Sequence, residues 1–367
     1  LALAANSNGA IREVWVAAGI YVPNNPNLDD PREAAFRIHG PIGLYGGFAG
    51  HETARGQRNP AQNITILSGD RLGDDGPDDA GREDNCYRIV QASEATRATI
   101  LDGFLITGGE GGPGAGLRVL SSPDMSIRNC TFVANRAAEG GAIQATNISV
   151  SNCRFLGNGK SPGATDARGG AVYSRGTFMN CVFSGNHSDR GGALYLPFSS
   201  DVHSSTFWAN SATDGGSAMW VSGSSSTSAF GSIFWNNPTA GDPAAVSSIA
   251  SHAVEGTYLS HCLIERLGSN TTGIDTISGD PRFREAAGPD GVPGTRDDDF
   301  RLLPGSPCID AGRLPNDVLD LDEDGITLEP PPFDIDGNPR VFDDPWAHNA
   351  GFGVQVDMGA HERSAQD

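Results

Sequence analysis

The chain has 367 residues and a formal net charge of −20, with 45 acidic residues against 25 basic ones. Such a surface repels nucleic acid phosphates and anionic lipid headgroups, so the composition argues against nucleic-acid binding. Hydrophobic residues make up 38% of the chain and there are 49 glycines, which favours a narrow core with many turns over a compact globule. No apolar run approaches the ~20 residues needed for a transmembrane helix.

The first hundred residues predict short strands separated by polar loops. Strand candidates are 14–16, 42–45, 64–67 and 87–90. Segments 23–35 and 70–85 are rich in Asp, Pro and Gly, which predicts loops that project from the fold. Residues 1–5 are too short for the apolar core of a signal peptide, and we interpret them as the end of a capping helix.

Two motifs recur through the middle of the chain. Successive Phe-x-x-Asn copies are 23, 28, 24 and 27 residues apart, and Gly-Gly-Ala or a close variant lies near four of them. The Phe-x-x-Asn copies are 132–135, 155–158, 183–186, 207–210 and 234–237, and the glycine copies begin at Gly140, Gly169, Gly191 and Gly215. A period in this range predicts stacked structural units instead of one folded core.

Each unit is long enough for one turn of a wide coil built from short strands, and too short for a βαβ unit. Strands of adjacent turns would then lie ~4.8 Å apart. Phenylalanines are predicted to stack inside the coil and asparagines at a bend, while the Gly pair forms a turn that no Cβ would allow. We count about ten turns over residues 1–284.

Three cysteines stand two residues before a repeat phenylalanine: Cys130, Cys153 and Cys181. Ser205 and Ser232 hold the equivalent positions in the next two units, which favours a small stacked side chain over a metal ligand. We expect free buried thiols, with disulfides between stacked cysteines as the alternative. No zinc-ribbon or haem motif occurs, and neither haem nor a nucleotide is expected as a cofactor.

The residue before each Gly pair is charged, so opposite charges on adjacent turns would form an outward ladder, worth less than ~1 kcal/mol per pair. These positions are Glu139, Arg168, Arg190 and Asp214. A polysaccharide lyase needs carboxylates and an Arg or Lys base, and a hydrolase needs carboxylates in a groove. The weak catalytic candidates are Asp166, Arg168, Asp189, Arg190 and Asp214. Because the charge ladder already accounts for them, catalysis is the less favoured interpretation.

Residues 285–367 form an irregular acidic region in which the repeat is lost. Asp320, Asp322 and Asp324 alternate as in the first half of a calcium loop, but Pro331 stands where an EF-hand needs Glu. A second candidate calcium set is Asp290, Asp297 and Asp299. The alternative for both sets is a solvated acidic loop.

These motifs resemble those of two known groups. The paired Phe-x-x-Asn and Gly-Gly-Ala repeats over residues 100–240 resemble those of polymorphic outer membrane proteins, and more widely of bacterial right-handed parallel β-helix repeat proteins. Ser306-Pro-x-Ile-Asp-Ala-Gly and Asp357-x-Gly-Ala-x-Glu resemble the choice-of-anchor Q-type domain of bacterial surface proteins. The resemblance implies an all-β, single-stranded right-handed parallel β-helix. Residues 285–367 would pack on its end or flank, and the protein would be extracellular or on the bacterial cell surface.

Two functional hypotheses follow. The favoured one is a secreted or cell-surface structural or adhesive β-helix, whose coil ends would stack on further copies of the chain to form fibres. The alternative is a carbohydrate-active β-helix enzyme, either a polysaccharide lyase or a hydrolase, or a carbohydrate-binding protein. The expected partner is therefore another copy of the chain or an extracellular polysaccharide.

Overall fold

The computed structural model describes residues 11–76, 79–120, 124–222, 226–238, 249–251, 257–265, 271–313, 332–342, 344 and 356–363. These residues form β-strands and single-turn 3-10 helices at Pro31–Glu33, Arg55–Gln57 and Arg82–Asp84, with no α-helix among them. No helix in this part of the chain is long and apolar enough to cross a membrane. The predicted capping helix at 1–5 lies outside the described residues.

The strands are numbered β1 to β29 in chain order, and most stack in parallel on three faces of one solenoid. The first face contains β3 (Phe36–His39), β6 (Val90–Ser93), β9 (Leu117–Leu120), β12 (Ile143–Ser151), β14 (Val172–Met179), β17 (Leu194–Leu196), β21 (Met219–Val221) and β24 (Ile249–Ser251). The second contains β1 (Glu13–Ala17), β4 (Gly43–Phe48), β7 (Ile100–Asp102), β10 (Met125–Arg128), the second halves of β12 and β14, β18 (Asp201–His203), β22 (Thr227–Phe230), β25 (Thr257–Ser260) and β27 (Thr271–Ile274). The third contains β2 (Gly19–Tyr21), β5 (Thr65–Ser68), β8 (Phe104–Thr107), β11 (Thr131–Val133), β13 (Arg154–Leu156), β15 (Val182–Ser184), β19 (Thr206–Trp208), β23 (Ile233–Trp235) and β26 (Leu263–Ile264).

Two further strand pairs lie outside these faces. Strands β16 (His187–Arg190) and β20 (Ser211–Gly215) pair in parallel at the bend between the third and first faces. Strands β28 (Phe283–Glu285) and β29 (Asp299–Leu302) form an antiparallel pair in the C-terminal region.

The predicted all-β parallel solenoid is confirmed, but its number of turns is about eight instead of ten. In the described chain, the turns from β3 to β26 each place a strand on all three faces, and β1, β2 and β27 belong to incomplete turns at the ends. The candidates 42–45 and 64–67 were counted as separate turns. They lie in β4 and β5, which are two faces of one turn because the loop between them carries the chain around a bend.

The predicted phenylalanine stack runs through the interior. Centroids of successive rings are 5.2, 4.7, 4.6 and 4.7 Å apart, and the ring planes are within 11° of parallel. The stacked residues are Phe132, Phe155, Phe183, Phe207 and Phe234, all with 0% exposure. Each contributes the burial of a large apolar side chain, worth about 1.5–3 kcal/mol, in addition to ring–ring attraction.

The predicted asparagine stack is a buried hydrogen-bonded ladder at the end of the third face. In the first four members, Nδ2 donates to the Oδ1 of the asparagine one turn ahead, at 3.1, 3.1, 2.8 and 2.9 Å along the series. The same Nδ2 atoms also donate to a backbone carbonyl of the preceding turn. The members are Asn135, Asn158, Asn186, Asn210 and Asn237, all with 0% exposure. The ladder satisfies backbone groups where the strand ends and the chain bends.

A second internal ladder contains the cysteines and serines. The amide of Cys130 donates to Sγ of Cys153 at 3.4 Å, and that of Cys181 donates to Oγ of Ser205 at 3.2 Å. All six cysteines of the chain are buried and free, as predicted. Either a thiol or a hydroxyl can occupy this position because each supplies a compact acceptor for the neighbouring turn.

The glycine turn is confirmed, with one correction of register. Gly140, Gly169, Gly191 and Gly216 share φ values of 60–66°, and a Cβ on Gly191 would lie 2.2 Å from the Leu194 carbonyl oxygen. The fourth copy therefore uses Gly216 where the repeat predicts Gly215. Since Arg190 pairs with Gly215 across β16 and β20, Asp214 stands one residue out of the predicted ladder.

The C-terminal region packs on the outer surface of the third face. Its apolar contacts join Leu156, Val182 and Trp208 of the solenoid to Phe300, Ile335 and Ala360. Beside them, the Ala360 amide donates to Thr206 Oγ1 at 3.0 Å. The first face carries no comparable cover among the described residues.

Candidate functional site

The weak catalytic candidates lie together where the third face turns into the first. Asp166 contacts two arginines, with 2.5 Å from its Oδ2 to Arg168 Nη2 and 3.0 Å from its Oδ1 to Arg190 Nη1. Arg190 Nε also lies 3.4 Å from Asp214 Oδ2. The hydrogen bond from Arg168 holds the pKa of Asp166 below its usual value. These groups form a chain of ion pairs in which each charge has an opposite neighbour.

Asp189 is enclosed by hydrogen-bond donors. It is 7% exposed, and its carboxylate accepts from Lys160 Nζ at 2.6 Å, the Ala167 amide at 2.9 Å and Thr213 Oγ1 at 3.0 Å. Burial alone would raise the pKa of Asp189, but these donors outweigh it and lower the pKa. Asp189 is thus an ionised carboxylate that ties three segments together, whereas a catalytic acid would need a raised pKa.

The arginines of this cluster also lie over aromatic rings of the first face. The Arg168 guanidinium is 5.7 Å from the Tyr195 ring, and that of Arg190 is 5.6 Å from the Trp220 ring. Tyr195 in turn stacks on Tyr173 with ring centroids 5.2 Å apart. Each arginine is therefore fixed by a carboxylate on one side and a ring on the other.

The two predicted calcium sets have different outcomes. Asp320, Asp322 and Asp324 lie outside the described residues. In the second set, Asp299 Oδ1 accepts from Arg301 Nε at 2.8 Å, while Asp297 Oδ2 accepts from the Asp290 amide at 3.4 Å. Asp299 is thus paired with an arginine, and calcium binding by Asp290, Asp297 and Asp299 stays a prediction.

Three carboxylates of the loop 70–85 converge, which the sequence did not indicate. Oxygens of Asp70, Asp74 and Asp84 lie within 4.8 Å of one another, the only such group among the described residues. Desolvation, together with the charges of Asp84 and Asp70, raises the pKa of Asp74. Asp70 and Asp84 already accept backbone amide hydrogen bonds within the loop, at 2.6 Å from Gly73 and 2.9 Å from Leu72. The turn geometry thus accounts for their approach.

A cleft of about 930 Å³ lies on the third face along β5, β8, β11 and β13. It is bounded by the loop 55–61 and by residues 333–337 of the C-terminal region. Its lining contains five arginines: Arg55, Arg58, Arg128, Arg154 and Arg296. Arg58 pairs with Asp102 at 2.8 Å, and Arg154 pairs with Asp336 at 2.6 Å. Sequence reasoning missed this cleft because its walls come from distant parts of the chain.

Residues 90–248 match the family model described as "Right handed beta helix region". Together with the stacked parallel strands, this match identifies the fold as a right-handed parallel β-helix. The match includes all five Phe-x-x-Asn copies and ends before the C-terminal region. No curated protein gives a significant match to the chain.

The two C-terminal motifs meet in a buried polar cluster on the β-helix. We call this cluster the latch, and it consists of Asp310, Arg340, Asp357, Gly359 and Glu362. The Asp310 amide donates to Asp357 Oδ1 at 2.8 Å, and the Asp357 amide donates to Glu362 Oε2 at 3.0 Å. Arg340, with 0% exposure, donates to the carbonyls of Asp357 and Gly359 at 2.8 and 2.7 Å. The Gly359 amide reaches the Gly231 carbonyl of the solenoid at 2.8 Å. The motifs therefore fasten the C-terminal region to the third face.

Raising the pH is expected to weaken this latch. Burial raises the pKa of Asp357 from 3.8 to about 6 and that of Glu362 from 4.5 to about 10. Since protonation is favoured in the folded state, this stabilisation is complete below the ordinary values and is lost as the pH rises through 6 and then 10. We expect the urea midpoint for release of the C-terminal region to fall between pH 5 and pH 9. The release is followed by tryptophan fluorescence.

The matched variant for this experiment is Glu362→Gln, which keeps the shape of the side chain but does not titrate. It is expected to flatten the pH dependence above pH 6, where Glu362 is the group that changes charge. The surface variant Glu285→Gln should leave the dependence as in the wild type. An unchanged slope in Glu362→Gln would show that another group controls the latch.

Proposed function

We propose that the protein is a secreted or cell-surface β-helix with a structural or adhesive role. The observation that carries this proposal is the environment of Asp189, the most buried of the catalytic candidates. Its carboxylate is ionised and fully engaged by Lys160, Ala167 and Thr213, and it joins adjacent turns. The candidate cluster thus fits a structural brace, meaning a set of contacts that ties adjacent turns together, better than a reaction centre.

The surface location rests on the resemblance of the repeats to polymorphic outer membrane proteins and of the C-terminal motifs to the choice-of-anchor Q type. The latch supports it physically, because a region that links a rod to an anchor must stay attached under load. Buried hydrogen bonds such as those from Arg340 to the Asp357 and Gly359 carbonyls resist separation, since breaking them leaves polar groups unpaired in the interior. Immunogold labelling of intact cells tests the location.

End-to-end assembly is part of the same proposal. Strand β1 pairs with β4 and β2 pairs with β5, so the opposite edge of each has no partner among the described strands. Ile20 in β2 is 70% exposed. Such an edge favours addition of a further strand. Electron microscopy of the purified protein at rising concentration tests this, and particles of one-rod length throughout would exclude fibres.

The second candidate function is carbohydrate binding or cleavage, which the cleft favours. Concave sites with a few converging polar groups are the usual location of ligands, and guanidinium groups recognise carboxylates. Arg58, Arg128 and Arg154 line its floor and walls. If this candidate is correct, the substrate would lie in the cleft and not at Asp189.

Asp189→Asn is expected to separate a brace from a catalyst. As a brace, Asp189 contributes charge-assisted hydrogen bonds, so the variant should lose about 1–3 kcal/mol of unfolding free energy. It should leave the response to polygalacturonate identical to that of the wild type when new reducing ends are measured. Asp290→Asn, an exposed acid in the C-terminal region, is the control.

Two results would overturn the structural proposal. One is cleavage of a uronate polymer by the wild type that is lost in Asp189→Asn. The other is the same loss in Arg190→Ala, provided that both variants remain folded by circular dichroism. Cleavage that persists in both variants but disappears in Arg154→Gln would instead favour the cleft.

A further inference from the structure

A column of outward-facing side chains runs along the first face. Strand register places one member on the first-face strand of each successive turn, from β3 to β21; we call each of these positions a rung. In order, the members are Arg37, Gln91, Arg118, Gln144, Tyr173, Tyr195 and Trp220. We call this set the first-face column. Adjacent rungs are ~4.8 Å apart, so the column is roughly 30 Å long.

The part of the column on β3, β6 and β9 is positively charged, and its arginines form no ion pair among the described residues. Arg37 and Arg118 stand two rungs apart, and Arg88 lies beside them and donates to Gln91 Oε1 at 3.3 Å. In the described part of the chain, no carboxylate forms an ion pair with any of the three arginines. The Nε atoms of Arg88 and Arg118 are buried from solvent without a hydrogen-bond acceptor.

This arrangement has a free-energy cost in the unbound protein. Burial, followed by the nearby charges of Arg118 and Arg37, lowers the pKa of Arg88, and the opposing charge of Glu33 does not outweigh them. Like charges held together without acceptors are destabilising unless an anion joins them. On a chain with a net charge of −20, a strip of unpaired guanidinium groups is therefore a local reversal of the molecular charge.

The part of the column on β14, β17 and β21 is aromatic instead of charged. Tyr173 and Tyr195 stack on each other, and the Trp220 ring continues the stack with a centroid 6.5 Å from that of Tyr195. Because the rings cover one another and Tyr195 is only 8% exposed, this part of the column offers no open ring face to a ligand. The ligand-binding groups of the column are therefore its arginines and glutamines.

We propose that the first-face column is the docking surface for an extended anionic polysaccharide with one acidic group in each disaccharide repeat. Arg37 and Arg118 place positive charge on every second rung, about 9–10 Å apart. Gln91 lies between the two arginines and Gln144 lies one turn beyond Arg118, and both offer amides to uncharged sugars. Guanidinium forks bind carboxylate or sulfate with two parallel hydrogen bonds. The acidic remainder of the molecule disfavours polymers that carry more charge.

This inference gives a partner to the adhesive role proposed above and rests on that role. It is separate from the cleft, which lies on the third face. The Asp189 cluster adjoins the column, since Arg168 and Arg190 lie over Tyr195 and Trp220, but its test measures cleavage and stability instead of binding. Failure to bind saccharide would remove the partner but leave the location and the assembly of the rod untouched.

The test is titration calorimetry of the purified full chain with defined oligosaccharides at low and physiological salt. Hyaluronan oligosaccharides carry one carboxylate per disaccharide, oligogalacturonate carries one on every sugar, and dextran is neutral. We expect the order hyaluronan, then oligogalacturonate, with no heat from dextran, and weaker binding at higher salt. Equal binding of dextran, or no binding of hyaluronan, would overturn the proposal.

Variants assign the binding to the column. Arg118→Gln, which repeats the residue of the neighbouring rungs, is expected to weaken hyaluronan binding about tenfold, as for the loss of one charge-assisted contact. Gln144→Glu adds a negative charge without removing an arginine and should weaken it at least as much. Arg97→Gln changes an 85% exposed arginine outside the column and is the matched control.

Two outcomes of the variant series would contradict this assignment. Wild-type affinity in both Arg118→Gln and Gln144→Glu would place the saccharide elsewhere. A single-stranded oligonucleotide that bound as tightly as hyaluronan, with the same sensitivity to Arg118→Gln, would make the column an unspecific anion patch.

Discussion

Asn186→Ala is expected to lower the free energy of unfolding of the central turns by about 3–6 kcal/mol. The Asn186 Nδ2 donates to the Phe155 carbonyl at 2.9 Å and to Asn210 Oδ1 at 2.8 Å. Its Oδ1 accepts from the amide and the side chain of Asn158, at 3.0 and 3.1 Å. The variant removes all four bonds and leaves their partners in an interior without water, where unmade hydrogen bonds are most costly.

Chemical denaturation followed by circular dichroism measures this effect. Asn24→Ala, in the exposed loop 23–35, is the control, and it should remain within about 0.5 kcal/mol of the wild type. Because each turn of a solenoid depends on its neighbours, the loss at Asn186 should spread to adjacent turns. Coincident denaturation curves for the two variants would mean that the ladder contributes little to stability.

Arg340→Met is expected to release the C-terminal region while the solenoid stays folded. Methionine approximates the volume of the side chain but removes the donors to the Asp357 and Gly359 carbonyls, and it removes the charge 3.7 Å from Glu362. Each of these two buried carbonyls that loses its donor costs about 1–3 kcal/mol. A loss of this size is expected to populate a detached state of the C-terminal region, even though its other contacts with the solenoid remain.

Limited proteolysis with mass spectrometry distinguishes detachment from global unfolding. Cleavage within residues 285–363 should become at least a hundredfold faster, which corresponds to about 3 kcal/mol, while residues 90–238 stay protected. Trp208, which lies 5.7 Å from Phe300, should report the exposure of the third face by fluorescence. Arg296→Met, an exposed substitution in the same region, should behave as the wild type. Faster cleavage spread evenly over the chain would contradict the latch.

The interior of the solenoid was predictable from the sequence because its chemistry repeats. Phe155, Asn158 and Gly169 each have equivalents one turn away, and a parallel coil is the arrangement that brings equivalents together. The interchange of Cys181 and Ser205 similarly identified a small inward position. In each case, one local rule and one period determine the contact.

Other features depended on register and on distant segments. Asp214 pairs with Arg190 as the charge ladder predicts, but a one-residue shift places Gly215 directly opposite Arg190 in the strand register. The turn count was too high because β4 and β5 lie on two faces of one turn. The contact between Arg154 and Asp336, which helps to close the cleft, joins residues without any shared motif.

Net charge was misleading for a related reason. The overall excess of acid predicts repulsion of anionic polymers, yet the sum contains no information on position. Arg37, Arg88 and Arg118 come from three successive turns, and only the pairing of β3, β6 and β9 brings them together. Which outward side chains become neighbours follows from loop lengths, and these vary from turn to turn.

The reactivity of the internal thiols can report which turns of the solenoid have opened. Cys153, Cys181 and Cys262 lie in different turns, each with 0% exposure, and burial raises the pKa of Cys181 and of Cys262 to about 12. A thiol in this state is inert to alkylating reagents until its own turn separates from the next. Pulse alkylation followed by peptide mapping would thus show when each of these turns opens. The natural cysteines serve as the reporters, so no label has to be introduced.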